Sequence, residues 1–221
     1  MTTILALEFS AAERSVALAR DGVVLSAARE SGARATNAFR LISQVLAEAG
    51  VARTDVDTVA VGLGPGSYTG IRVGVSLALG WRLARPGVKL LGVDAITTLV
   101  AQAREQGMVG AVNFVIDAQR GEFYVATWEL GAAEPRELTP LKIVPAAELA
   151  ARTDEVFAGP DAARFGGTVI YPSAATVARL AQAGPRSGVT ETLEPVYLRE
   201  STFVKWQPMP VPGLAELQPP P

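Results

Sequence analysis

Between Asp57 and Gly80 the chain carries Gly62, Gly64, Gly66 and Gly70 around Pro65, with the hydroxyls of Ser67 and Thr69 and the guanidinium of Arg72 set among them. Glycines between a strand and the first turn of a helix are the raw material of an anion site. They leave backbone N–H groups without intrahelical partners at a positive helix end, where a phosphate can come close. Gly64, Gly66, Ser67, Thr69 and Gly70 are therefore candidate phosphate- or nucleotide-binding residues. The spacing nevertheless fits no standard phosphate motif. A Walker loop needs a second glycine five residues after the first, then Lys and Ser or Thr, whereas Thr69 stands at that distance from Gly64 and the charge after Gly70 is Arg72. The dinucleotide pattern would need glycine at Ser67 or Thr69, and a serine-hydrolase elbow would need it at Pro65. A tight strand-to-helix connection that holds no ligand stays open beside the anion site.

The remaining inventory of reactive groups is short. The 221 residues include no cysteine and no histidine, which removes thiol catalysis, disulfides, imidazole bases and the usual nitrogen- and sulfur-ligated zinc sites. Any chemistry would have to use carboxylates, hydroxyls, arginines or a borrowed metal. Net charge is −2 and the arginines are spread along the chain, a poor footprint for a protein that binds nucleic acid by itself. If RNA enters the function, a more basic partner should carry most of the phosphate contacts. The N-terminus lacks the basic flank of a secretion signal, and apolar runs such as Val73 to Trp81 are bracketed by Arg72 and Arg82, so the expected location is the cytoplasm, with no membrane contact.

The elements that must position these residues alternate between periods. Ile4 to Phe9, Ser15 to Arg20 and Val23 to Arg29 read as a strand meander, with Asp21-Gly22 as the hairpin turn between the last two. A helix over 37–49 follows, capped by Thr36 or Asn37, with Phe39, Ile42, Val45, Leu46 and Ala49 on its apolar face and Gly50 closing it. Val59, Val61 and Leu63 form a strand buried on both faces, and a helix can start at Gly70. Strand Lys89 to Val93 and a helix from Ala95 to Glu105 complete the first half, a mixed sheet flanked by helices.

The second half opens as the first does. Val112 to Ile116 ends in Asp117, a polar turn follows and Glu122 to Trp128 is a second strand, just as Ile4 to Leu7 ends in Glu8 before the strand Ser15 to Arg20. An acid closing one strand, a turn and a second strand, repeated about a hundred residues on, imply two related domains facing a cleft. Asp117 and Arg120 can be read in two ways: as a turn cap beside a solvated arginine, or as nucleotide or partner contacts near the cleft. Shorter segments follow: strands near Leu141 to Val144, Val156 to Ala158 and Val169 to Tyr171, and helices from Pro145 and from Ser173 to Ala183. They are too few for a full second copy. After Gln207 six of the fifteen prolines fall in the last fourteen residues, so the tail is expected to be extended or disordered. The expected division is 1–108, 109–201 and a tail 202–221.

The helix after the glycine turn carries two lines of small residues, Gly70, Gly74 and Ala78 on one and Ser76, Gly80 and Ala84 on the other. One line can lie against the protein's own sheet. The second admits a neighbouring helix at short interaxial distance, so a subunit interface is the better account of it. Tyr68 could anchor a partner or cover the end of the sheet.

The stretch Gly62-Leu63-Gly64-Pro65-Gly66-Ser67-Tyr68-Thr69-Gly70-Ile71-Arg72, the turn Ile116 to Tyr124 and the segment Glu194-Pro195-Val196-Tyr197-Leu198-Arg199 resemble the TsaB, or YeaZ, family over residues 1 to 200. The resemblance implies an α/β, actin-like ATPase and sugar-kinase-like (ribonuclease H-like) fold of two related domains, the second reduced. It implies a non-catalytic accessory subunit that pairs with TsaD, and through it with the ATPase TsaE, for threonylcarbamoyl transfer to the tRNA adenosine beside the anticodon. It also implies tRNA contact only through the complex, a homodimer when the chain is alone, and no cofactor or metal of its own, with ATP at the subunit interface or on TsaE. The partner-facing residues would be Arg40, Ser43, Gln44, Ala47, Tyr68, Arg72, Ser76 and Gly80. One departure stands out: the family usually has Asp-Thr-Ser after the first strand, where this chain has Glu8-Phe9-Ser10. The alternative is an enzyme acting alone, a glycoprotease-type peptidase or a small-molecule kinase. The first lacks a nucleophile with a base or metal, and the second lacks an intact phosphate hairpin and a complete second domain.

Overall fold

The computed structural model describes residues 1–31, 37–131, 133–185 and 188–198. Two sheets organise the chain. In the first, strands β1 (Thr3–Glu8), β2 (Glu13–Arg20) and β3 (Val23–Ser31) form an antiparallel meander, and β4 (Thr58–Gly62) and β5 (Lys89–Val93) extend it parallel to β1. In the second, β6 (Gly110–Asp117), β7 (Glu122–Leu130) and β8 (Arg136–Pro145) form the meander, with β9 (Val156–Gly159) and β10 (Thr168–Val169) parallel to β6.

Spatial order is β5-β4-β1-β2-β3 in one sheet and β10-β9-β6-β7-β8 in the other, the same arrangement twice. This is the actin-like, ribonuclease H-like order, and the shortness of β9 and β10 makes the second copy the reduced one. The acid at the end of each first strand plays the same local part. Glu8 Oε1 accepts from Ser10 N–H at 2.7 Å, and Asp117 Oδ1 accepts from Gln119 N–H at 2.8 Å.

Helices α1 (Ala38–Glu48) and α2 (Tyr68–Ala84) cover one face of the first sheet, where Leu5, Leu7, Leu41, Ile42, Val45, Val59, Val61 and Ala78 share a core. The opposite face is covered from the far end of the chain. Helix α5 (Ala174–Gln182) packs Ala174, Val177, Ala178 and Ala181 on Ile4, Ala6, Ala17 and Ala60, and strand β11 (Val189–Thr190) pairs with β5. The segment expected to belong wholly to a second unit, 109–201, thus returns to the first sheet after residue 173. Alanines on both sides allow this close helix-on-sheet contact, and Ser15 Oγ accepts from Ala174 N–H at 2.9 Å to fix it.

Helix α3 (Ala95–Glu105) packs on the second sheet, and α4 (Ala146–Ala150) lies on that sheet's other face. Gln102 of α3 joins the halves, its amide bonding Tyr171 O at 3.0 Å and Ser173 N–H at 3.1 Å. Asp94 caps α3 through Thr97, and burial pushes its carboxyl above the ordinary range. Among the described residues no helix is long and apolar enough to cross a membrane. Thr36, Arg199 and the proline-rich tail, on which the sequence raised expectations, lie outside the described residues.

Candidate functional site

The glycine turn is packed instead of open. Strand β4 ends at Gly62, where an added Cβ would stand 1.9 Å from Glu8 Oε2. A Cβ on Gly66 would lie 2.1 Å from Ser10 O, and one on Gly70 would lie 1.9 Å from Phe9 O. Ser67 N–H donates to Ser10 O at 2.7 Å, sewing the loop onto the turn after β1. The positive φ of 79° at Gly64 and 147° at Gly66 supplies the bend that side-chain-bearing residues resist.

For the candidate anion residues Gly64, Gly66, Ser67, Thr69 and Gly70, the structure shows two of the loop's N–H groups already bonded within the chain, that of Ser67 to Ser10 O and that of Gly70 to Ser67 Oγ. Ser67 Oγ accepts from Gly70 N–H at 3.2 Å, so the helix also begins earlier than expected, at Tyr68. Thr69 alone of the five stands exposed.

Beneath the loop, Glu8 is fully buried with Oε2 unpartnered, and burial pushes its carboxyl above the ordinary value; the Ser10 N–H bond only partly opposes this. The long carboxylate in place of a short one fits only because Gly62 opposite has no side chain. It serves as an internal strut.

Asp117 ends β6 of the second sheet, and Arg120 lies in the turn between β6 and β7. Asp117 forms the turn already described, its N–H donates to Asp161 Oδ2 at 2.8 Å, and Arg164 stands 3.8 Å from its carboxylate. Gln119 and Arg120 both have positive φ, and Arg120 is exposed with no ion pair among the described residues. The turn-cap reading describes Asp117. Asp161 and Arg164 complete this cluster; the sequence offered no signal for them because they follow a strand of only four residues.

The open surface lies on α2. Its first line of small residues faces inward: Gly70, Gly74 and Ala78 are buried, and a Cβ on Gly74 would already press Val61 at 3.0 Å. The second line faces outward. Ser76, Gly80 and Ala84 are exposed, and a Cβ on Gly80 would meet nothing within 4 Å. Around them Leu79 is 44% and Leu83 86% exposed, unusual for leucines on one helix. A groove of about 450 Å³ runs between α1 and α2, lined by Phe39, Ile42, Leu77, Gly80, Trp81 and Arg85 among others.

Phe39 corrects the sequence reading. Expected on the buried face of α1, it is 66% exposed, because the helix turns Ala38, Leu41, Ile42, Val45 and Leu46 to the sheet and leaves Phe39 at the rim. The polar residues of α1 also face outward. Arg40 pairs with Glu30 at 3.4 Å, Gln44 bonds Glu48 at 2.9 Å, Ser43 accepts from Arg53 at 3.3 Å, and Ala47 is exposed beside them. At the head of α2, Tyr68 accepts from Arg72 at 2.6 Å, lies under its guanidinium and is tilted against Tyr197 with ring centroids 5.4 Å apart. Tyr68, Arg72, Ser76 and Gly80 of α2 and Arg40, Ser43, Gln44 and Ala47 of α1 are thus all on the surface, on two adjacent helices. Among the described residues no group of three carboxylates could hold a metal.

A family model described as TsaD, tRNA N6-adenosine threonylcarbamoyltransferase, matches residues 10–186. The tRNA threonylcarbamoyladenosine biosynthesis protein TsaB of Escherichia coli is 32% identical over 130 residues, 57% of this chain and 54% of that protein. TsaB of Bacillus subtilis is 32% identical over 131 residues, 58% of this chain and 55% of that protein. The matched stretch thus spans about half the length of these curated relatives. Among solved structures, YeaZ from Pseudomonas aeruginosa superposes with a TM-score of 0.72 at 30% identity, covering 90% of this chain and all of that one.

Proposed function

Since the chain belongs to the TsaB, or YeaZ, family, we propose that it is a non-catalytic subunit of the system that makes threonylcarbamoyladenosine in tRNA. It pairs with a TsaD-type transferase through the outward face of α2 and the adjoining side of α1. A TsaE-type ATPase joins through that pair, and tRNA is reached only through the complex.

The observation that carries the reading is the pair of small-residue lines on α2. One is used up against the β-sheet; the other lies open between exposed leucines and an apolar groove. Small residues let helix axes come close, and a helix pair of related shape on a TsaD-type partner would match this surface. That the TsaD model matches this chain over most of its length supports such like-with-like docking. The packed glycine turn supports assigning ATP to the subunit interface or to the TsaE-type ATPase and not to this chain alone. The absence of histidine and cysteine from the sequence supports a scaffold over a peptidase.

Reconstitution tests this. The chain, a TsaD-type and a TsaE-type subunit of one organism are supplied with the threonylcarbamoyl donor, ATP and unmodified tRNA, and the nucleosides are separated after digestion. Modified adenosine is expected with all three proteins and only at background without the chain, and the chain alone is expected to hydrolyse neither ATP nor peptide. Equal modification in its absence, or turnover by the chain alone, would overturn the proposal.

A further inference from the structure

The charges along α2 are of one sign. From Thr58 to Val93 the sequence holds Arg72, Arg82, Arg85 and Lys89 and no aspartate or glutamate, within a chain whose net charge is −2. The two hollows along the helix follow suit. The groove towards α1 is lined by Arg53 and Arg85, a second hollow of about 450 Å³ near the head of the helix is lined by Arg72, and neither is lined by a carboxylate. Arg40, Arg104 and Arg179 each have a glutamate beside them, whereas Arg72, Arg82 and Arg85 have no ion pair among the described residues. Arg85 turns its donors inward, to Arg53 O at 3.1 Å and Val56 O at 2.8 Å.

Arg72 differs from Arg82 in being held. Its Nη1 donates to the Tyr68 hydroxyl at 2.6 Å, and its guanidinium lies over the Tyr68 ring, 5.0 Å from the ring centre. Tyr68 leans in turn on Tyr197, from the far end of the described chain. Much of the rotamer freedom that an arginine loses on pairing is therefore already gone. Its remaining N–H groups have no acceptor among the described residues. A guanidinium fixed in this way, with parallel donors left over, is built to take a carboxylate side-on.

We propose that Arg72 anchors a carboxylate of the partner that covers α2, so that the partner's face is acidic where it meets the head of this helix. This assignment rests on the reading of α2 as the docking face for a TsaD-type subunit, and adds the chemistry of the surface that docks. A protein carboxylate is favoured over a nucleic-acid phosphate because the same face exposes Leu79 and Leu83, apolar surface that a helix covers and a phosphate backbone does not. A second copy is disfavoured. A two-fold axis through this face would set the strip Tyr68 to Arg85 against itself, cations facing cations, with no acid in either strip.

The test is titration of the full chain with a TsaD-type subunit of the same organism at about 50 mM and about 500 mM sodium chloride. The wild-type Kd is expected to rise about tenfold across that range. At the lower salt, Arg72→Gln is expected to weaken binding about tenfold and Arg72→Glu about a hundredfold, with Arg72→Lys between wild type and Arg72→Gln. Arg136→Gln, which changes the net charge equally from the exposed end of β8, is expected to leave Kd unchanged. A tight complex indifferent to salt and to Arg72→Gln would overturn this proposal while leaving the docking face in place. An equal loss in Arg136→Gln would assign the effect to net charge and overturn it as well. No complex at either salt would overturn the docking reading, and the proposal with it. Two arms use the chain without that subunit at the lower salt. Binding of unmodified tRNA that Arg72→Gln abolishes would give the arginine to a phosphate, and self-association that Arg72→Gln weakens would give it to a second copy; either would overturn the proposal.

Discussion

Gly80→Arg is the substitution on which the partner-face reading can be pressed hardest, because the structure fixes its effect on the monomer independently of any partner. Gly80 sits in the exposed interior of α2, and a side chain there would meet no atom within 4 Å. Arginine is a good helix former, so the replacement should stabilise the helix by roughly 0.5–1 kcal/mol. At this chain length that raises the melting temperature by about 1–4 °C. At a helix–helix contact the same side chain cannot be accommodated: axes at about 8–10 Å leave no room for it, and a buried guanidinium without a partner costs about 3 kcal/mol or more, over a hundredfold in Kd. Thermal unfolding by circular dichroism and titration calorimetry with a TsaD-type subunit separate the two effects. A variant that melts no lower than wild type and loses the partner is expected. Wild-type affinity in the folded variant would refute the assignment of this face, and a large drop in melting temperature would refute its exposure.

Other substitutions test the interior. Gly62→Ala should cost about 1–3 kcal/mol by overpacking, because its Cβ would stand 1.9 Å from Glu8 Oε2, and Glu8→Asp in the same chain should recover part of that loss in urea unfolding. Glu8 has a folded-state pKa above its ordinary 4.5 through desolvation, so the native state retains a proton that the unfolded state releases. Stability from this group is therefore undiminished below 4.5 and falls as pH rises from there towards the folded value. Glu8→Gln should remove that slope from urea midpoints measured across the range, whatever constant offset it adds; an unchanged slope would assign the pH dependence elsewhere. Ser67→Ala should cost about 1 kcal/mol by unmaking the cap on Gly70 N–H, seen as a lower melting temperature, with no change in binding of ATP to the isolated chain.

Most of the fold was legible because its signals are local. The Asp21-Gly22 hairpin, the apolar run ending at Leu63 and the repeated strand–acid–turn–strand pattern each report a period or a turn, and together they give a repeated mixed sheet. What the sequence hid was non-local. Nothing in Ala174 to Gln182 says which sheet its alanines meet, and β11 is two residues long. Phe39 misled because helical spacing cannot tell the edge of an apolar face from its centre. The glycine turn was ambiguous for a related reason: glycine permits a ligand to approach and equally permits another stretch of backbone to do so, and the nearness of Phe9 O to Gly70 and of Ser10 O to Gly66 could not be read from spacing. The two small-residue lines of α2 were visible in the spacing, and the structure turns one inward and the other to solvent.

Hydrogen–deuterium exchange of the full chain with and without a saturating TsaD-type subunit bears most directly on the partner face. Slower exchange concentrated in α1 and over residues 76–84 of α2, with the edge strand β8 unchanged, is the predicted result. A complex that forms while those two helices exchange as they do in the free chain would contradict the account.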